Sequence, residues 1–235
     1  MPEDYPAPKG GASLVLSFRL QNETVLILGS GPLAARRAFA SLEAESSVVV
    51  LAKGGLVSAC DELKWRAQHD QLSFIDWDTL RSSSGFEDDA VRMDDYLSTA
   101  PRISLAIVTD TVATDQKRNY ASAQKIYDVF RSHNIPVNMA DMPELCNFSF
   151  TSSHRFEHHE TGEKTPLQIG VTTNGHGCRL ASRVRREIVT KFSRELGAAV
   201  EKVGQLRSLA IKEDGIHGEK MDPIDATLGE GGPIA

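Results

Sequence analysis

The sequence is poor in the features that hold secreted or membrane-bound chains together. It has 3 cysteines, Cys60, Cys146 and Cys178, an odd number without short paired spacing, so neither a disulfide framework nor a zinc motif is written into it. Reduced thiols fit a reducing compartment, and the chain reads as cytoplasmic. No run of about 20 apolar residues occurs, which leaves no candidate for a helix across a bilayer. The opening Met1-Pro2-Glu3-Asp4 lacks the basic and apolar blocks of a secretory signal and the arginines of a transit peptide. An excess of positive charge is missing too. The 26 Lys and Arg against 32 Asp and Glu leave a net charge of -6, which argues against binding nucleic acid through phosphate contacts. A local basic site for a small anion is compatible with this balance.

What is present is an ordinary globular content over 235 residues, 40% hydrophobic and 25% charged, enough for one full α/β domain and a smaller second module. Continuously apolar segments at residues 24–28, 47–51 and 104–109 read as strands buried on both faces of a parallel sheet, with shorter strands at 72–75 and 135–140. Helical spacing over 33–42, 60–69 and 116–133 alternates with them, as βαβ units require. Residues 82–95 are polar and acidic and read as a solvated loop or weak helix. The pattern then changes. Residues 147–152 and 167–173 alternate around a polar turn at 154–164, which predicts an antiparallel hairpin outside the parallel sheet. A long helix over 180–196 carries Leu180, Val184, Ile188 and Phe192 as one apolar stripe, and a further helix spans 198–211.

Between the first strand and its helix lies Gly29-Ser30-Gly31-Pro32-Leu33-Ala34, a G-x-G-x-x-A turn. The first glycine permits the tight turn, the second lets backbone approach a pyrophosphate, and the small third residue lets the helix sit close to the sheet. The helix N-terminus then faces the anion. In this strand–turn–helix–strand setting the turn predicts a Rossmann-type dinucleotide site. Its candidate residues are Gly29, Ser30, Gly31, Pro32 and Leu33, joined by Thr109 and Asn138 from later strands. The second strand ends in Ala52 and Lys53, where a ribose-binding acid is expected. NAD would be held by backbone or Ser58 there, or Lys53 would meet the 2′-phosphate of NADP, and the residues leave the two open. Asp141 follows the last strand at the carboxyl edge where ligands of open α/β sheets bind. It could accept a proton while hydride leaves a substrate, or cap the turn leading to Pro143.

Taken together, Gly29-Ser30-Gly31, the stretch Asn138-Met139-Ala140-Asp141-Met142-Pro143-Glu144-Leu145-Cys146-Asn147-Phe148, and Thr172-Thr173-Asn174-Gly175 before an arginine-rich helix resemble the siroheme synthase family, in particular its fungal-type bifunctional dehydrogenase/ferrochelatase members. The resemblance runs from about residue 13 to residue 211. It implies NAD-dependent oxidation of precorrin-2 to sirohydrochlorin, and insertion of ferrous iron, as substrate, to give siroheme. It places the family's catalytic aspartate at Asp141, requires no resident metal, and implies a homodimer joined through the hairpin-and-helix module. An anionic tetrapyrrole needs basic contacts. Arg179 and Arg183, at four-residue spacing with Arg186 beside them, suit carboxylate binding, and Asn174 and His176 lie in the loop before them. Gly177-Cys178 stands where the family often has a serine-proline pair, and Ser30 where a glycine is common. Relatives continue into a helical third domain that the residues after 211 do not resemble. A dehydrogenase without chelatase activity, or a nucleotide-binding sensor, therefore stays open. His154, His158 and His159 with Glu157 and Glu160 read as a solvated turn, not a metal site. The expected organisation is a flexible arm at 1–12, a Rossmann domain at 13–145, a dimerisation and substrate module at 146–211, and a disordered tail at 212–235.

Overall fold

The buried, β-branched stretches form one parallel sheet. Its strands are β1 (Thr24–Leu28), β2 (Ser47–Ala52), β3 (Ser73–Asp76), β4 (Ile103–Val108) and β5 (Val137–Met139), in the order β3-β2-β1-β4-β5. Every neighbouring pair is parallel. The structure is a computed structural model and describes residues 10–80, 88–112 and 117–213. Most of the expected arm and tail, residues 1–9 and 214–235, lie outside the described residues. The chain divides into two compact units, Met1–Phe150 and Thr151–Ala235.

In the first unit the sheet is covered on both faces, as parallel sheets require. Successive side chains of β1 point to opposite faces. Val25 and Ile27 pack with Ala34 and Ala38 of α1 (Pro32–Glu43) and Leu63 of α2 (Asp61–Gln68). Leu26 and Leu28 pack with Met93 of α3 (Asp89–Thr99) and with Ile126 and Phe130 of α4 (Tyr120–Ser132). Phe130 is fully buried in the second of these clusters. Phe130→Ala should therefore cost about 3–5 kcal/mol of unfolding free energy in a urea titration, through lost transfer and a residual cavity. A loss under about 1 kcal/mol would show that this face is not close-packed.

Of the two readings of residues 82–95, helix α3 bears out the helical one. Residues 81–87 lie outside the described residues, but from Asp89 the segment is a regular helix. Asp88 caps it by accepting from Ala90 N–H at 2.9 Å. Met93, Tyr96 and Leu97 supply a core-facing stripe at three- and four-residue spacing, which the acidic residues between them disguise.

The second unit is an antiparallel pair, β6 (Ser152–Glu157) and β7 (Lys164–Val171), with α5 (Cys178–Thr190) and α6 (Leu196–Glu213). The hairpin starts later than the alternation at 147–152 predicts. Residues before it are tied to the first unit without forming a strand of its sheet. Asn147 N–H donates to the Val137 carbonyl at 2.8 Å, and Val137 N–H donates to Asn147 Oδ1 at 3.0 Å. Phe148 and Phe150 pack on the α1 side, with the Arg37 guanidinium 3.6 Å from the Phe150 ring centre. His154 thus sits in β6 opposite Ile169, not in the turn. The helix predicted over 180–196 ends early, and the one predicted over 198–211 is α6. Helix α5 stops at Thr190, and Ser193 Oγ accepts from Glu195 N–H at 3.2 Å just before α6 starts. Ala181 is the buried residue of α5, whereas Leu180, Val184, Ile188 and Phe192 remain 36–55% exposed.

Candidate dinucleotide-binding cleft and its flanking residues

Strand order reverses direction between β1 and β4, and the carboxyl ends of those strands open into a cleft of about 750 Å³. This is the switch point at which open α/β sheets bind ligands. Of the residues that the sequence singles out, Gly29, Ser30, Gly31, Pro32, Leu33, Lys53 and Thr109 line the cleft. Gly29 N–H donates to the Leu51 carbonyl at 2.9 Å, and Cys60 N–H to the Ser30 carbonyl at 2.9 Å, so the turn is tied to the ends of β2 and α2. Thr109 uses its hydroxyl to donate to the Leu28 carbonyl at 2.8 Å, locking β4 to β1 under the turn.

The two glycines do different things. Gly29 has φ +113°, and a Cβ there would stand 2.4 Å from Thr109 Oγ1. Gly31 has nothing within 4 Å of where its Cβ would be, so the backbone is open to a close-approaching group. Gly31 is also the N-cap of α1, supplies no side-chain cap, and is followed by Pro32 with no acidic residue in the first turn. The amides and the positive end of a 12-residue helix therefore face the cleft uncompensated, and they fit a pyrophosphate.

Asn138 is a correction. It does not line the cleft. Its Nδ2 donates to the Phe148 carbonyl at 2.9 Å and contacts Cys146 Sγ at 3.6 Å. Cys146 Sγ in turn accepts from Met139 N–H at 3.1 Å and lies 3.2 Å from the Met139 carbonyl. Burial pushes the Cys146 thiol pKa up. The residues of the N-x-A-D-x-P-x-L-C-x-F stretch are thus largely a clamp that folds the chain after β5 back on the sheet, with Leu145 buried beneath. At the top of that clamp Asp141 is exposed, with φ +58°. It lies outside the lining of the cleft. Its carboxylate accepts no hydrogen bond among the described residues, and the short turn at Pro143–Leu145 has Met142 as its N-cap. Asp141 is therefore not the cap of that turn, and its oxygens are uncommitted among the described residues.

Sequence reasoning missed the wall beside Lys53. Arg118, with its side chain 3% exposed, donates through Nη2 to Asp110 Oδ2 at 2.8 Å and through Nη1 to Asp89 Oδ2 at 2.8 Å. Lys53 Nζ meets the same Asp89 oxygen at 3.1 Å. Burial opposes the Arg118 charge, but Asp110 and Asp89 outweigh it and hold its pKa above the ordinary value. Burial likewise raises Asp89, yet Lys53 and Arg118 prevail and leave it below the usual carboxylate range. Trp77 lies beneath, its ring centre 5.5 Å from the Arg118 guanidinium. No local motif marks these residues, because three separate segments bring them together. Ser58, an alternative ribose contact, donates instead to the carbonyls of Lys53 at 2.8 Å and Gly55 at 2.9 Å.

In the second unit, Asn174 and His176 are exposed in the loop between β7 and α5, and Asn174 has φ +48°. Arg179 is exposed at the start of α5, and Arg183 is exposed and pairs with Glu187 at 3.2 Å. His158 pairs with Glu201 at 3.0 Å, and His154 stacks edge-on against Phe156. Among the described residues no group of His, Cys, Asp and Glu could hold a metal ion. Nor is any described helix long and apolar enough to cross a membrane.

A switch-point cleft, a glycine turn and an uncompensated helix N-terminus define a dinucleotide-binding protein. A family model described as putative NAD(P)-binding matches residues 16–152, and one described as sirohaem biosynthesis protein central matches residues 165–191. The chain belongs to this putative NAD(P)-binding family. It is 34% identical over 208 residues to the siroheme biosynthesis protein met8 of Schizosaccharomyces pombe, covering 88% of this chain and 66% of that one. It is 27% identical to a probable uroporphyrinogen-III C-methyltransferase of the same yeast, covering 83% of this chain and 36% of the relative. It is 25% identical to a siroheme synthase of Pseudoalteromonas translucida, covering 83% and 34%. The chain thus spans less than two thirds, or only about a third, of the length of these relatives. The fold is also that of the solved SirC, precorrin-2 dehydrogenase, at a TM-score of 0.54 and 16% identity, covering 84% of this chain and 80% of that one.

Proposed function

We propose that the chain oxidises precorrin-2 to sirohydrochlorin with a nicotinamide cofactor, and that it also inserts ferrous iron to give siroheme. The observation that carries this reading is Asp141. It is an exposed carboxylate with no hydrogen-bonded partner among the described residues, held at the carboxyl edge of a dinucleotide-binding sheet. The Gly29-Ser30-Gly31 turn and the N-terminus of α1 hold the pyrophosphate. The bound nicotinamide supplies a hydride acceptor. Asp141 takes the proton released as the substrate gives up its hydride, so each oxidation yields one hydride and one proton with a named destination for both. In the chelation step the same carboxylate removes pyrrole N–H protons as iron, a substrate, enters the ring.

The substrate is a polycarboxylate, and the exposed Arg179 and Arg183 beside Asn174 and His176 supply recognition of its charge. The bare apolar stripe of α5 suits a second copy of the chain, in a cytoplasmic homodimer. Titration with sirohydrochlorin in the presence of NAD+ tests the substrate assignment. Saturable binding that weakens about tenfold in Arg179→Ala or Arg183→Ala is expected, as for loss of a charge-assisted hydrogen bond. Nucleotide binding without any tetrapyrrole binding would instead identify a sensor and overturn the reading.

A further inference from the structure

The expected ribose-binding acid is absent from the end of β2, where Ala52 and Lys53 stand. The cleft nevertheless has a carboxylate at that corner. Asp89, the first residue of α3, lines the cleft with its side chain 21% exposed. Its Oδ2 is occupied by Lys53 Nζ at 3.1 Å and Arg118 Nη1 at 2.8 Å. Its Oδ1 accepts nothing from the described residues. Two cations thus orient the carboxylate and keep it ionised, leaving one oxygen able to accept from a hydroxyl.

From this geometry we infer that Asp89 supplies, from α3, the ribose 2′-hydroxyl acceptor that β2 lacks, and that the cleft thereby selects NAD over NADP. The inference rests on the dinucleotide reading of the cleft. It also reverses the simplest expectation for Lys53. A lysine at the end of β2 invites a 2′-phosphate, but here both Lys53 and Arg118 already have carboxylate partners. A phosphate placed at this corner would face Asp89 and Asp110, and like-charge contacts of this kind reject a ligand more strongly than a missing contact does.

The test measures dissociation constants of NAD+, NADP+ and 2′-deoxy-NAD+ by calorimetry, using the whole chain. Wild type should bind NAD+ at least about tenfold more tightly than either of the others, the size expected for one charge-assisted hydrogen bond. Asp89→Ala should bind NAD+ and 2′-deoxy-NAD+ equally and should gain affinity for NADP+, because Lys53 is released. The 2′-deoxy comparison on wild type needs no variant, so it decides the matter even where Asp89→Ala fails to fold. Equal binding of NAD+ and 2′-deoxy-NAD+ by wild type, or preference for NADP+, overturns the role of Asp89 and leaves the cleft reading intact. Failure of wild type to bind any of the three overturns the cleft reading itself.

Discussion

Asp141→Asn should lower precorrin-2 oxidation by about a hundredfold to ten-thousandfold, the range that loss of a positioned general base produces. It should leave NAD+ affinity within about twofold, since Asp141 lies outside the cleft lining. Asparagine is the informative replacement. Asp141 has φ +58°, a left-handed conformation that Asn tolerates and Ala does not. The variant keeps the backbone and the hydrogen-bonding shape and removes only the basicity. Asp141→Ala should lose the same activity and also some stability. Initial rates under anaerobic conditions, paired with calorimetric NAD+ titration of the same preparations, check both halves. An unchanged rate in Asp141→Asn would remove Asp141 from the chemistry. Lost NAD+ binding would instead mean that it shapes the cleft.

The second large effect concerns the phosphate turn and separates its two glycines. Gly29→Ala should abolish measurable dinucleotide binding and destabilise the fold by about 1–3 kcal/mol, the cost of forcing a side chain into a sparsely allowed conformation. The local reason is steric as well, because the new methyl would stand 2.4 Å from Thr109 Oγ1 and 3.1 Å from the Asp110 amide nitrogen. Those atoms belong to the residues that lock β4 beneath the turn, so they cannot yield cheaply. Gly31→Ala meets nothing within 4 Å. It should keep the melting temperature of wild type and still weaken NAD+ binding by about tenfold or more, because the methyl occupies the approach that the pyrophosphate needs. Melting curves and NAD+ titrations of the two variants together check this. Equal stability and equal affinity for both would show that the turn does not carry the phosphates.

The parts of the fold that were legible in the sequence are those where one local rule decides the outcome. The parallel strands announce themselves because burial on both faces demands continuous apolar runs, and Thr24–Leu28 begins and ends where that run does. The glycine turn is legible because Gly29 answers a backbone requirement that no other residue meets. Harder were the places where two signals compete. The alternation of Asn147 to Phe150 looks like a hairpin strand, yet the same residues pair with Val137 and pack on α1, so they extend the first unit. The apolar stripe from Leu180 to Phe192 looks like a core face, yet the small Ala181 makes the close approach and the stripe stays exposed.

The candidate site divides in the same way. The turn and the acid at the end of the last strand can be read directly, since each is a single residue or motif at a position defined by the sheet. The Asp89–Lys53–Arg118 corner cannot, because its members come from three segments and only the packing of α3 beside α4 brings them together. Asn138 was harder to place. It lies in the most family-specific stretch and at a strand end, but its amide donates to the Phe148 carbonyl and it is not among the residues that line the cleft.

The central claim is that a hydride acceptor held at Gly29-Ser30-Gly31 and a proton acceptor at Asp141 together oxidise precorrin-2. The most direct measurement follows NADH and sirohydrochlorin absorbance simultaneously in one anaerobic reaction of the protein with precorrin-2 and NAD+. The account predicts that the two rise together in equal amounts, and that both traces flatten in Asp141→Asn. Sirohydrochlorin formed without NADH, or no turnover by a folded protein that binds NAD+, would contradict it.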